Sequence, residues 1–152
     1  LSLREDTYIF GTMNPTSLRD YAGTQSLNKA FADRWVIWDK PFPNKEQLDA
    51  IFEKRYPKLQ KEYRELIIKL ATEINNSFMS DDISINIETP MSLRTIVERI
   101  PIGLDVYADS VDPLKDTWEN FVLPHVNKED LDHYKTLWNT IVRKGPSIKP
   151  KL

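Results

Sequence analysis

Apolar residues along this chain change their period near residue 41. Before that point, Thr7-Tyr8-Ile9-Phe10-Gly11-Thr12 and Trp35-Val36-Ile37-Trp38 are short continuous runs rich in β-branched and aromatic residues. The first stops at Asn14-Pro15 and the second at Asp39-Lys40-Pro41-Phe42-Pro43, so both predict buried strands closed by turns. Between them a polar loop over 16–23 leads into a short helix through Leu27, Ala30 and Phe31. Two such strands joined by a loop and a helix predict the edge of an α/β sheet.

After residue 41 the pattern is helical. Asn44 followed by Gln47 forms a capping box, with Leu48, Ile51 and Phe52 on one face. Pro57 can open a second helix at its first position. Leu59, Tyr63, Leu66, Ile67, Leu70, Ala71 and Ile74 then recur at helical spacing, the strongest periodic signal in the chain. Ile83, Ile85 and Ile87 alternate with Ser84, Asn86 and Glu88, which fits a short strand. Thr89-Pro90 starts a third helix with Leu93, Ile96, Val97 and Ile100 inward, and Asp112-Pro113 a fourth with Leu114, Trp118 and Phe121. Asn127 caps a fifth, carrying Leu131, Tyr134, Leu137, Trp138 and Ile141, and residues 144–152 read as a fraying tail. The expected fold is therefore an α/β remnant over 1–40, a mostly α-helical bundle over 41–143, and a tail over 144–152.

Composition narrows the function classes. In 152 residues, 40% hydrophobic and 29% charged residues are the balance of a globular protein with a core, supplied here by four Trp, six Tyr and six Phe. A net charge of −2 gives no global basic field, so nucleic acid is not indicated as a partner. The absence of cysteine excludes disulfides, thiolate metal sites and a cysteine nucleophile. No apolar run reaches the roughly 20 residues a membrane helix needs, so no membrane partner is expected and the cytoplasm is the default location. The opening Leu1-Ser2-Leu3 lacks Met and runs almost directly into the first strand-like segment, so a longer parent chain is expected.

Three segments carry candidate chemistry. In the first, Phe10-Gly11-Thr12-Met13-Asn14-Pro15, a strand-like run ends in a neutral amide. Asn14 can both donate and accept, and so orient a water without repelling phosphate; the plainer reading is a turn after a strand. In the second, Tyr21-Ala22-Gly23-Thr24-Gln25-Ser26-Leu27-Asn28-Lys29-Ala30 leads into Phe31-Ala32-Asp33-Arg34-Trp35. The Arg34 guanidinium stays charged and forks to two oxygens, as phosphoryl transfer requires, or it pairs with a nearby carboxylate such as Asp33. The third is Thr89-Pro90-Met91-Ser92-Leu93-Arg94-Thr95-Ile96-Val97. There Arg94 borders an apolar stripe and can reach out to a phosphate or pair with Glu98 one turn on.

In this order the three segments resemble sensor 1, the arginine finger and sensor 2 of AAA+ ATPases, in the MoxR and CobS-like branch. The Gly23-Thr24-Gln25 and Leu27-Asn28 wording is closest to the cobaltochelatase type. Leu93 stands where these branches usually have Pro before the sensor 2 Arg. The resemblance spans roughly residues 6 to 100. It implies a homo-oligomeric, usually hexameric, ring with ATP between subunits, and it makes 1–40 the last part of the core and 41–143 the lid. Asn14 and Arg94 would serve the subunit's own nucleotide, and Arg34 the neighbour's. A protein client, with a von Willebrand A-domain partner as one type, would be remodelled. The Gly11-Thr12-Met13-Asn14 wording also occurs in McrB-like GTPases, which keeps GTP open.

Gly11, Gly23, Gly103 and Gly145 permit no P-loop, and Val36-Ile37-Trp38-Asp39 is followed by Lys40 rather than the Glu of a Walker B strand. ATP and Mg²⁺ would then be held mainly by segments that precede residue 1 in the family, and residues 1–152 alone are expected to be inactive. His125 and His133 lack neighbours at metal spacing. Asp81-Asp82 and Glu129-Asp130 read as solvated turn or helix-start charges, and Trp118 and Trp138 as core. The rival reading is a non-enzymatic helical module that binds a protein partner.

Overall fold

The computed structural model describes residues 7–11, 30, 33–36, 40–80, 82, 84–85 and 87–152. The chain divides into two units, 1–40 and 41–152. Within the first, residues 7–11 and 33–36 form no strand, and Tyr8, Ile9, Phe10 and Val36 are exposed. The expected α/β remnant is thus corrected: among the described residues there is no β-strand. An apolar run becomes a strand only where a neighbour takes up its N–H and C=O groups, and no such ladder exists there. Ile85 is likewise exposed, in a turn closed by its own amide on the Asp82 carbonyl, so the described residues 84, 85 and 87 of the expected strand form none.

The second unit is helical. α1 (Lys45–Arg55) starts at the predicted capping box: Asn44 Oδ1 accepts from the Gln47 amide at 2.8 Å and Gln47 Oε1 from the Asn44 amide at 3.0 Å. α2 (Lys61–Phe78) begins four residues later than Pro57, which lies in the preceding turn where Leu59 is buried. Its stripe of Tyr63, Ile67, Leu70, Ala71, Ile74 and Phe78 is the centre of the core. Arg64 on α2 ties back to α1 through Asp49 and Glu53, at 3.6 and 3.4 Å.

α3 covers 93–106 and joins a π-helical turn, Thr95–Arg99, to an α-helical stretch, Ile100–Val106. Pro101 inside it has no N–H, so it cannot bond the carbonyl four residues back at Val97. The Tyr56 hydroxyl donates to that carbonyl instead, at 2.8 Å, and so fastens the end of α1 to α3. α4 starts as Pro113–Thr117, with Asp112 capping the Lys115 amide, and continues through a π-helical turn, Trp118–Val122. A Cβ on Gly103 would collide with the Thr117 methyl, so α3 and α4 approach this closely only because that position is glycine. α5 (Leu131–Ile141) follows a single 3₁₀ turn, Lys128–Asp130, and Asn127 makes no side-chain cap there. Trp118 stacks against Trp138 and Tyr134 with centroids 5.1 and 5.8 Å apart.

Residues 87–91 have no regular secondary structure, yet Ile87 and Met91 are buried. Side chains from two helices pair their backbone. Asn75 on α2 accepts the Met91 amide at 2.8 Å and donates to the Met91 carbonyl at 3.2 Å. The buried Asp130 carboxylate takes the Thr89 amide at 2.7 Å and the Glu88 amide at 3.1 Å. The Tyr134 hydroxyl donates to the Thr89 carbonyl at 2.8 Å. Glu129-Asp130 is therefore corrected at one position: Asp130 is no solvated charge but a clamp on a strand of chain about forty residues away. Burial, and then the Asp130 charge, push the Tyr134 hydroxyl well above its usual pKa, which keeps it a donor.

Residues 144–152 do not fray. The Gly145 amide donates to Asp112, Gly145 and Pro150 are buried, and the Tyr63 hydroxyl donates to the Ile148 carbonyl at 2.7 Å.

Removing either clamp strands buried backbone groups, at about 1–3 kcal/mol each set. Asn75→Ala and Asp130→Ala are each expected to lower the unfolding free energy by about 2–3 kcal/mol in urea titrations, with helices otherwise retained.

Candidate functional site

Arg94 occupies the first turn of α3, and the start of that helix is built locally. Ser92 Oγ accepts the Thr95 amide at 3.1 Å, the Ser92 carbonyl accepts the Ile96 amide at 3.1 Å, and the Ser92 and Thr95 hydroxyls are 3.0 Å apart. Ser92 is thus the effective cap, two residues beyond the expected Thr89-Pro90 start. The sequence preceding it is the clamped segment 87–91, so the position of this turn is set by Asn75, Asp130 and Tyr134.

The Arg94 side chain is 77% exposed and its Nε lies 3.9 Å from Glu98 Oε2. Glu98 Oε1 also faces Arg55 Nη1 at 3.7 Å, in the last turn of α1. One carboxylate thus stands between two guanidiniums, so these three groups carry one net positive charge. The unpaired amides at a helix start add to the same sign, so an anion is favoured here. The pairs are long and solvated, which lets Arg94 leave Glu98 at small cost.

Arg34 belongs to the other unit. It is exposed, and its Nη1 donates to the Ala30 carbonyl at 2.8 Å, a local bond four residues back. Asn14 lies outside the described residues. Arg94 is the more exposed of the two guanidiniums beside Glu98, and among the described residues no three metal-ligating side chains come together.

Elsewhere, His133 Nε2 and the Ser77 hydroxyl are 3.1 Å apart, joining α5 to α2, while His125 is exposed. Bonds from the Ser84 hydroxyl and amide hold the exposed Asp82 carboxyl below its usual range. Trp118 and Trp138 are core residues, 3% and 7% exposed. A shallow open groove between α1 and α2, lined by Lys45, Glu46, Asp49, Lys61, Glu65 and Lys69, mixes both charges and selects none.

Sequence reasoning missed Arg55 and the polar clamp. Asn75 could have been found, because an amide lies beside Ile74 on an apolar stripe. The Arg55–Glu98 pair spans 43 positions and has no local signal. No family model, no curated protein and no solved structure matches this chain.

Arg94→Ala is expected to change the unfolding free energy by less than about 0.5 kcal/mol, since its pair is exposed. Ser92→Ala is expected to cost about 1 kcal/mol through loss of the cap. Parallel denaturant titrations of the two variants check both values.

Proposed function

We propose that residues 41–152 act as the helical lid of a AAA+ ATPase, with Arg94 as the lid's contact to the nucleotide phosphates. The observation that carries this reading is the placement of Arg94: an exposed guanidinium in the first turn of a capped helix, held only by a long pair to a carboxylate shared with Arg55. A charge-assisted fork to phosphate is stronger than that pair, so phosphate would win the competition. Under this reading Asn14 and Arg34 keep the roles that the family resemblance implies, toward the subunit's own nucleotide and the neighbour's. ATP, Mg²⁺, the ring and a protein client come with the same reading, and the nucleotide's main cradle then belongs to segments outside this chain. When bound, ATP supplies the phosphoryl group; what this chain contributes is a cation and the helix that aims it.

The rival, a helical interaction module, draws on a different observation. Ile102 and Val106 lie one turn apart on α3 and are 54% and 62% exposed, and the nearby Val111 is fully exposed.

The test uses a parent chain that also carries the P-loop. Arg94→Ala is expected to slow ATP turnover at least about tenfold while the helical signal and unfolding midpoint stay unchanged. Phosphate-contact arginines have effects of that order or larger in related chemistry. Unaltered turnover and unaltered nucleotide affinity would return Arg94 to a surface ion pair and leave the interaction module as the better account.

A further inference from the structure

Residues 145–151 are held in an unusual way for the end of a helical domain. The main chain carries nearly every contact. Gln60 reads two positions at once: its Nε2 donates to the Lys149 carbonyl at 2.6 Å and its Oε1 accepts the Lys151 amide at 3.1 Å. The Tyr63 hydroxyl donates to the Ile148 carbonyl at 2.7 Å, with the Pro146 carbonyl at 3.4 Å. Asp112 Oδ2 accepts the Gly145 amide at 3.1 Å, and a Cβ at Gly145 would run into the same carboxylate. Its side chains add the ion pair of Lys149 with Asp109.

The segment's own sequence suits this mode of capture. Pro146 and Pro150 have no N–H, so enclosing them strands no donor, and Pro150 is buried. Between them Ser147, Ile148 and Lys149 are exposed. On the groove side, Tyr63 is wholly buried, and burial together with the Asp112 charge pushes its pKa up to about 12. The hydroxyl therefore stays protonated as a donor. Arg143, in the left-handed region at φ 56°, turns the chain out of α5 toward the groove.

We infer that Gln60, Tyr63, Asp109 and Asp112 form a peptide-binding groove for a proline-bracketed segment bearing a lysine, and that residues 145–151 of this chain are its occupant in cis. A groove that reads backbone carbonyls and amides recognises a peptide whether or not it is covalently joined, as in other main-chain recognition modes. Tethering through Arg143 and Lys144 supplies an effective concentration in the millimolar range, so the chain's own segment outcompetes free peptides of similar affinity. Asp109 selects for the lysine, and Asp112 holds the Gly145 amide.

The experiment uses the whole 152-residue chain with a protease site inserted between Lys144 and Gly145. Before cutting, its helical signal should match the parent. After cutting, the released segment should remain bound, and isotope-labelled synthetic peptide of residues 145–152 should exchange into it saturably, one per chain, by mass spectrometry. Gln60→Ala should weaken retention about tenfold, the expected effect of losing two hydrogen bonds. Two results overturn the inference: the segment leaves and excess peptide never rebinds while the helices persist, or the cut chain unfolds and peptide fails to restore it. Amide exchange on the uncut parent chain bearing only Gln60→Ala gives an independent reading. Faster exchange at Lys151 with α2 still protected supports a separable ligand, and loss of protection throughout α2 overturns it.

Discussion

The irregular segment 87–91 runs beside α2 with Ile87 and Met91 buried, and everything that follows it inherits its position. Irregular backbone in a core brings donors and acceptors that no helix or ladder will pair, and each left open would cost about 1–3 kcal/mol, comparable to what a buried apolar side chain gains. Asn75 answers with an amide, whose oxygen takes the Met91 N–H while its NH₂ satisfies the C=O of the same residue. Asp130 answers with a carboxylate that accepts two successive amides, as an anion in a nest of N–H groups does. Tyr134 closes the remaining Thr89 carbonyl. Because these partners stand on α2 and at the start of α5, they join the two helices through the chain that runs between them, and they fix where α3 begins. The exposed Arg94 is thus presented by a rigid start, although the residue itself is loosely held.

The same device recurs at two other places. Pro101 deprives Val97 of its helical partner, and Tyr56 supplies a substitute from α1. Gln60, Tyr63 and Asp112 hold the main chain of 145–151. In all three cases polar side chains within or capping a helix serve the backbone of an irregular or interrupted element. Burial of Trp118, Trp138, Tyr134 and the α2 stripe stabilises the unit by removing apolar area from water. The polar contacts decide register, since an apolar core alone would tolerate several placements of the connecting chain.

What could be read in advance follows the range of the interaction. The capping box at Asn44 and Gln47 and the cap at Asp112 are local, and both form as their spacing demands. The stripe from Tyr63 to Ile74 is also local and forms the core. Helix starts that depend on tertiary contacts were misplaced: Pro57 yields to Lys61 because Leu59 is buried in the turn, and Thr89-Pro90 yields to Ser92 because Asp130 holds Thr89 from outside. Asp130 itself looked like a surface charge, since nothing within its own turn reveals a partner 42 positions away. The runs at 7–11 and 33–36 show the opposite failure. Their composition is that of strands, but pairing, not composition, makes a strand, and the described residues offer no ladder. Of the site, Arg94 was legible as an exposed cation beside Glu98; Arg55, which shares that carboxylate, was not.

The claim that the clamp fixes 87–91 is tested most directly by amide hydrogen exchange at Glu88, Thr89 and Met91. Accepted by Asp130 and Asn75, and buried at Met91, these three should exchange only with global unfolding, at the protection level of the α2 interior. The Ile85 amide, in its exposed turn, should exchange far faster. If Glu88, Thr89 and Met91 exchange at the rate of Ile85 while α2 remains protected, the clamp does not hold the segment, and the placement of α3 must have another cause.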